Sequence, residues 1–122
     1  MSVKEKLLQK LEEKEERMIA IRRHLHENPE LSFEEENTAK YIADFYDCKD
    51  VKVTTGAGGG HGVIVEIEGA SDGKVIGIRA DFDALPIEEE ADVPFKSKKE
   101  GVMHACGHDM HTAYILILAE SL

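Results

Sequence analysis

The 122-residue sequence predicts an α/β domain in which helices pack on a mixed β-sheet. Three observations predict this class. Apolar residues recur at three- and four-residue intervals in the first part of the chain, and short alternating segments follow in the middle. An almost entirely apolar helical segment comes last. The length suits one domain, or part of one, with a substantial core.

Two helices are predicted in the N-terminal part. The pattern from Val3 to about Glu27 is helical, and Pro29 ends it. Ser32 followed three residues later by Glu35 has the pattern of a capping box. A second helix is therefore predicted from Ser32 to about Tyr46.

Three short strands are predicted next, at residues 51–54, 63–68 and 75–78. The glycine-rich segment 56–60 is not expected to hold regular structure. The five-residue connection 69–73 makes the second and third strands a predicted hairpin.

The C-terminal part is predicted to be an exposed loop at residues 87–103 and a helix from His111 onward. The helix is nearly all apolar, which suits burial between other layers. It runs to Leu122 without a glycine cap or a polar closing turn. We therefore expect that covering elements are missing and that the isolated chain aggregates or pairs.

The composition bears on partners and compartment. A formal net charge of −10 argues against nucleic acid and anionic membranes as partners, because both need a basic face. No apolar signal-peptide core and no membrane span is visible, and two distant cysteines fit a reducing cytoplasm. Cys48 is expected to be a small core residue, and His24 and His26 to have ordinary solvated or half-buried roles.

The segment His104–His111 carries three histidines, a cysteine and an aspartate, which are residue types that bind transition metals. In an extended stretch Cys106 and His108 would point the same way and close on one ion, with Gly107 allowing the backbone to turn. His108 and His111 share a face if a helix begins here. His104, Asp109 and His111 are further candidates, as ligands or as partners that orient an imidazole. The alternative is a histidine-rich turn that caps a helix.

Two aspartates, Asp81 and Asp83, come where the predicted strand 75–78 ends. Strand ends are the usual place for functional groups in an open α/β sheet, and alternation points both side chains to one side. Their position fits a role at or beside a metal. It fits equally a turn that pairs with Arg79 and the loop amides.

Three motifs in order then resemble those of a known family. They are Arg-Arg-His-Leu-His-Glu-Asn-Pro-Glu-Leu-Ser (22–32), Arg-Ala-Asp-Phe-Asp-Ala-Leu-Pro (79–86) and His-Ala-Cys-Gly-His-Asp-Met-His-Thr-Ala (104–113). The chain resembles the metal-dependent amidohydrolases of the aminoacylase/carboxypeptidase clan. The most similar branch contains hippurate hydrolases, N-acyl-amino-acid and N-acetyl-diaminopimelate deacetylases and auxin-conjugate hydrolases.

The resemblance implies the N-terminal portion, residues 1–122, of a zinc-peptidase-like catalytic domain. It implies hydrolysis of the amide bond of a small N-acyl amino acid with two divalent metals, zinc or manganese. Cys106 and His108 match metal ligands, whereas Asp81 and Asp83 match positions beside the metals. Asp109 and His111 are also expected to have supporting roles beside the metals.

The same resemblance places the general-base glutamate, the remaining ligands and a lid domain after the end of this chain, and leaves room for a homodimer through that lid. Glu88, Glu89 and Glu90 precede the cysteine motif and do not match the base. The chain alone is thus expected to bind metal weakly and to be inactive. The alternatives are a small non-catalytic metal-binding or interaction protein, and the remnant of a disrupted gene.

Overall fold

The computed structural model describes residues 1–47 and 49–122. The prediction for Cys48 lies outside the described residues. Helices outnumber strands, and the elements are, in chain order, α1 (Val3–Glu13), α2 (Glu15–Glu27), α3 (Glu36–Phe45), β1 (Lys52–Ala57), β2 (Gly62–Glu66) and α4 (His108–Ser121). None of the helices in the described part of the chain has the length and apolar character to cross a membrane.

Helix α4 lies at the centre of the core. Ala113 and Ile117 are each only 1% exposed, and their neighbours come from α2 and α3. The predicted burial of this helix is correct on that face, whereas Met110 and Tyr114 on another face are about half exposed. The buried cluster consists of Ile21, Leu25, Ile42, Tyr46, Ala113, Leu116 and Ile117.

The first predicted helix is interrupted at Lys14, which separates α1 from α2. Like charges at Glu12 and Glu16 oppose continuation of the helix locally. Lys14 also directs its ammonium group to Glu120 and Ser121 at the end of α4. At the other end, α2 stops before Pro29 as predicted.

The predicted capping box at Ser32 does not form, and α3 begins four residues later at Glu36. Leu31 is held by a parallel bridge to Ala84, and Phe33 adopts a positive φ of 69° in the turn that follows. A helix cannot start through that turn. The amides of the first turn of α3 are bound instead by the carboxylate of Glu30.

The hairpin joins different strands from those predicted. β1 extends into the glycine-rich segment and pairs antiparallel with β2, with a bulge between Thr55 and Ala57. Gly58 and Gly59 take φ values of 71° and 77° in the connection, which glycine adopts without strain and which allow so tight a return. The prediction that this segment holds no regular structure is thus wrong for its first two residues.

The third predicted strand, residues 75–78, is not formed among the described residues, and the predicted mixed sheet there is one antiparallel pair. A strand exists only when a neighbouring strand exchanges hydrogen bonds with it, and residues 75–78 have no such neighbour among the described residues. Val75 and Ile76 are 97% and 84% exposed.

The segment 87–103 is a loop as predicted, but it is not exposed throughout. Val102 is buried, and so is the carboxylate of Glu89. The loop returns to the start of the segment through paired backbone hydrogen bonds between Leu85 and Met103. This pairing places the cysteine motif next to Asp81 and Asp83.

Candidate metal centre

The histidine-rich segment becomes the first turn of α4. Gly107 precedes the helix with φ 99° and ψ 10°, and His108 is the first helical residue. The stretch is therefore a left-handed turn and not extended, which corrects the geometry expected for Cys106 and His108. The predicted role of Gly107 in turning the backbone is confirmed. His111 follows one turn later, with its ring centroid 6.5 Å from that of His108.

His108 is oriented by Asp83. Its Nδ1 lies 2.9 Å from the Asp83 carboxylate and 3.0 Å from the Asp83 backbone carbonyl. Both partners accept, so Nδ1 carries the proton, and in the neutral ring Nε2 presents its lone pair. A carboxylate behind a histidine in this way is the usual arrangement at metal sites, where it fixes the tautomer and raises the basicity of the ligand nitrogen.

Cys106 offers a second donor of the same class. Its thiol is free and exposed, one residue before the glycine turn. Thiolate sulfur and imidazole nitrogen are donors that zinc and related divalent metals prefer, so the residues fit such an ion. No cluster of three or more candidate ligands occurs among residues 1–47 and 49–122, so a metal held by these two side chains would need further ligands.

The two aspartates that follow residue 80 have different partners. The carboxylate of Asp81 accepts a hydrogen bond from Arg79, which is the turn alternative considered for it. Its backbone carbonyl accepts from Thr112 of α4, 2.9 Å away. Asp83 alone reaches His108, so the predicted shared orientation of the two carboxylates does not lead to a shared partner.

Asp109 is fully buried and faces away from solvent. Its carboxylate lies 2.9 Å from Nε of Arg22 and 2.7 Å from Nδ1 of His26. The second ring nitrogen of His26 lies 2.7 Å from Glu89. His26 is only 3% exposed, so the expectation of an ordinary solvated or half-buried role for it is wrong. His24, by contrast, is exposed and stacks on Tyr41.

The remaining two histidines of the motif differ in environment. His111 is exposed and contacts the ring of Tyr114. His104 is 5% exposed, and neither of its ring nitrogens has a hydrogen-bond partner among the described residues. Burial lowers the pKa of His104, which favours the neutral imidazole.

Sequence reasoning missed the buried roles of His26 and Glu89. Arg22 and His26 stand four residues apart in the first of the three motifs, which places them on one face of α2. That spacing was an available signal for a shared partner. Nothing local to Glu89 distinguishes it from Glu88 and Glu90.

Comparison with known proteins identifies the family. Residues 77–122, which contain both the aspartates and the cysteine motif, match the model of peptidase family M20/M25/M40. An N-acetylcysteine deacetylase of Bacillus subtilis is 52% identical over 100 residues. Residues 77–122 belong to peptidase family M20/M25/M40. The order and spacing of the three motifs in the sequence thus indicated the correct family.

Solved structures confirm the α/β fold class of this M20/M25/M40 chain. A Staphylococcus aureus protein described as an aminohydrolase superposes with a TM-score of 0.91 at 57% identity, covering 95% of this chain. A dinuclear metal-binding M20 peptidase of Bacillus subtilis superposes with a TM-score of 0.77 at 52% identity, covering 82% of the chain.

The M20/M25/M40 chain spans only part of these proteins. It covers 26% of the length of the N-acetylcysteine deacetylase, and 31% and 28% of the two solved chains. Membership of the family, with relatives that include a dinuclear metal-binding peptidase, supports a divalent-metal site. The assignment of Cys106 and His108 as ligands stays a prediction.

Proposed function

We propose that the chain contributes Cys106 and His108 to the two-metal site of an amidohydrolase that cleaves the amide bond of N-acyl amino acids. The single observation that carries this proposal is the bond between His108 Nδ1 and Asp83, which leaves Nε2 available for coordination, two residues after the free and exposed thiol of Cys106. The N-acetylcysteine deacetylase among the relatives supports an N-acyl amino acid as substrate.

Divalent metals held by Cys106 and His108 would supply Lewis-acid chemistry, which activates water and polarises a carbonyl. The residues of the chain itself have supporting roles. Asp83 holds the proton of His108 at Nδ1, and Cys106 coordinates as a thiolate, which requires loss of its proton. Gly107 sets the turn between them, since its positive φ strains any residue with a Cβ.

We infer that the general-base glutamate belongs to a part of the complete protein that follows residue 122, together with the remaining ligands and a lid domain. The acidic run at residues 88–90 supports this. Glu89 is buried against His26, and Glu88 accepts a hydrogen bond from the amide of Gly101. The buried carboxylate of Glu89 is therefore not available to take a proton from a metal-bound water. The chain alone is accordingly proposed to be inactive.

The ligand chemistry bears on which metal binds and on the compartment of the protein. A Cys and His pair suits zinc, and manganese is the second candidate for the family site. A thiolate ligand survives best in a reducing compartment, so we place the protein in the cytoplasm. A homodimer would form through the lid domain.

Metal titration tests the ligand assignment. We expect the wild-type chain to bind Zn²⁺ or Mn²⁺ weakly in isothermal titration calorimetry under reducing conditions, because only two ligands are present. Cys106→Ser and His108→Ala should each abolish the heat of binding, whereas the control His24→Ala should retain it. Unchanged binding in both ligand variants would overturn the assignment.

The reaction is tested on the native polypeptide that carries residues 1–122. We expect it to release acetate from N-acetyl amino acids and to lose this activity on treatment with a chelator. Submicromolar metal affinity of the 122-residue chain, with no hydrolysis by the native polypeptide, would instead favour a non-catalytic metal-binding protein.

A further inference from the structure

A buried chain of three titratable side chains lies behind the first turn of α4. His26 is placed between two carboxylates, with Nδ1 2.7 Å from Asp109 and Nε2 2.7 Å from Glu89. The three residues are 3%, 0% and 4% exposed, respectively. They come from α2, from α4 and from the loop at residues 87–103, so the contact joins three segments that are distant in sequence.

The proton count shows that this contact is strongly ordered. A neutral imidazole donates through one nitrogen and accepts through the other, whereas an ionised carboxylate only accepts. Two bonds of 2.7 Å to carboxylate oxygens therefore require two protons among the three groups. Either His26 is an imidazolium or one carboxyl group keeps its proton. Both arrangements are charge-assisted and short, and such bonds are stronger than neutral ones.

Each end of the chain is fixed by further contacts. Asp109 also accepts from Arg22 Nε at 2.9 Å and from the amide of Met110 at 3.0 Å. Glu89 accepts from the amide of Ser97 at 2.6 Å. Burial raises the pKa of Glu89, but the bonds from His26 and Ser97 outweigh it and lower the pKa overall. Glu89 is thus held as an anion despite its burial.

The consequence reaches His108 through the backbone. Asp109 is the second residue of α4 and follows His108 directly. Asp83 holds the His108 ring, while His26 holds the side chain of Asp109 in the same helical turn. A displacement of Asp109 would shift His108 relative to Asp83, and metal-site geometry tolerates little displacement.

We propose that His26, clamped between Glu89 and Asp109, is a positioning residue for the ligand His108. The inference rests on the proposed function where metal affinity is measured. It rests on the structure alone where the position of the proton on the His108 ring is measured. A merely structural role would lower the stability of the chain without changing how the folded chain binds metal or which nitrogen of His108 carries the proton.

The test compares His26→Gln with the matched control His24→Gln on the same helix, both in the full chain. Each variant is first shown by circular dichroism to be fully folded at the temperature used. Zinc affinity is then measured by competition with a chromophoric chelator. We expect an affinity loss of about tenfold or more for His26→Gln and none for the control, the range found when partners behind metal ligands are removed. Wild-type affinity in folded His26→Gln would overturn the proposal.

A second readout needs no metal. The ¹⁵N shifts of the His108 ring report its tautomer, and we expect a single Nδ1–H form in the wild type and a mixture in His26→Gln. If the wild-type chain binds no zinc, the proposed function fails and this readout decides the positioning role. An unchanged tautomer would then overturn it. If His26→Gln does not fold, Glu89→Gln replaces it, with a smaller change in the same direction expected.

Discussion

Two histidines of this chain show how much the partner of a ring nitrogen matters. His108 has Nδ1 bound to Asp83, which leaves Nε2 for a ligand, whereas His26 has both nitrogens bound to carboxylates. The first arrangement suits coordination, and the second excludes it. Residue type alone did not separate them, since both histidines stand in motifs of the family.

At the residue scale we predict that Asp83→Asn weakens metal binding. The amide cannot hold the Nδ1 proton of His108 as strongly as the carboxylate, so the tautomer and orientation of the ring become less defined. We expect the zinc dissociation constant to rise about 10- to 100-fold in a chelator competition assay.

The control for Asp83→Asn is Asp81→Asn. The Asp81 side chain is 40% exposed and pairs with Arg79, and only its backbone carbonyl contacts α4. Its substitution should leave zinc affinity unchanged. Equal losses in the two variants would show that general charge near the site, and not the contact with His108, determines affinity.

At the scale of the element, the start of α3 is determined from outside the helix. The Glu30 carboxylate accepts from the amides of Asn37 and Thr38 and from the Thr38 hydroxyl. Burial raises the pKa of Glu30, but these hydrogen bonds outweigh it and lower the pKa overall. The free donors at a helix N-terminus are thus satisfied by a residue six positions before the helix.

We predict that Glu30→Ala destabilises the chain by about 1–2 kcal/mol at neutral pH, the usual cost of losing a cap with charge-assisted bonds. Because the folded pKa is lowered, this contribution is present above the unfolded value of 4.5 and is lost as the pH falls through the folded value. The unfolding free energies of the wild type and of Glu30→Ala, measured in urea, should therefore differ at pH 7 and converge in acid.

Ser32→Ala is the matched control, because Ser32 would be the cap if the pattern of the sequence had been followed. Its side chain accepts no hydrogen bond from α3. We expect its unfolding free energy to match that of the wild type. A larger loss for Ser32→Ala than for Glu30→Ala would contradict the structure at this turn.

At the scale of the whole molecule, one carboxylate near the end of α4 connects the two ends of the chain. Glu120 accepts two hydrogen bonds from Arg17, at 2.6 and 2.8 Å, and pairs with Lys14 and Lys49. The Arg17 hydrogen bonds, with those of the two lysines, lower the pKa of Glu120 to about 2. The contact joins α2 and the segment after α3 to α4, over the buried cluster around Ile117.

We predict that Glu120→Gln lowers the free energy of unfolding by about 1–2 kcal/mol at pH 7, allowing for the solvent screening of a half-exposed Arg17. The folded pKa is depressed, so the contribution is present above 4.5 and is lost as the pH falls towards 2. Unfolding free energies measured across this range should converge at the acid end. The double variant Arg17→Gln/Glu120→Gln should lose less unfolding free energy than the sum of the losses in the two single variants.

The sequence by itself determined the features whose cause is local. Pro29 ends α2, Gly107 turns the chain before His108, and α4 places His108 and His111 one turn apart. Motif order was sufficient for the family as well. These follow from backbone sterics and helical periodicity, which act over a few residues.

Only the tertiary structure decided which side chains are buried and which strands pair. His26 and Asp109 are 83 residues apart in sequence, and Glu89 is indistinguishable from its acidic neighbours until His26 meets it. The start of α3 depends on the bridge from Leu31 to Ala84, and residues 75–78 lack a strand partner among the described residues. Hydrogen bonding and burial depend on a second partner, and the position of that partner is set by the fold as a whole.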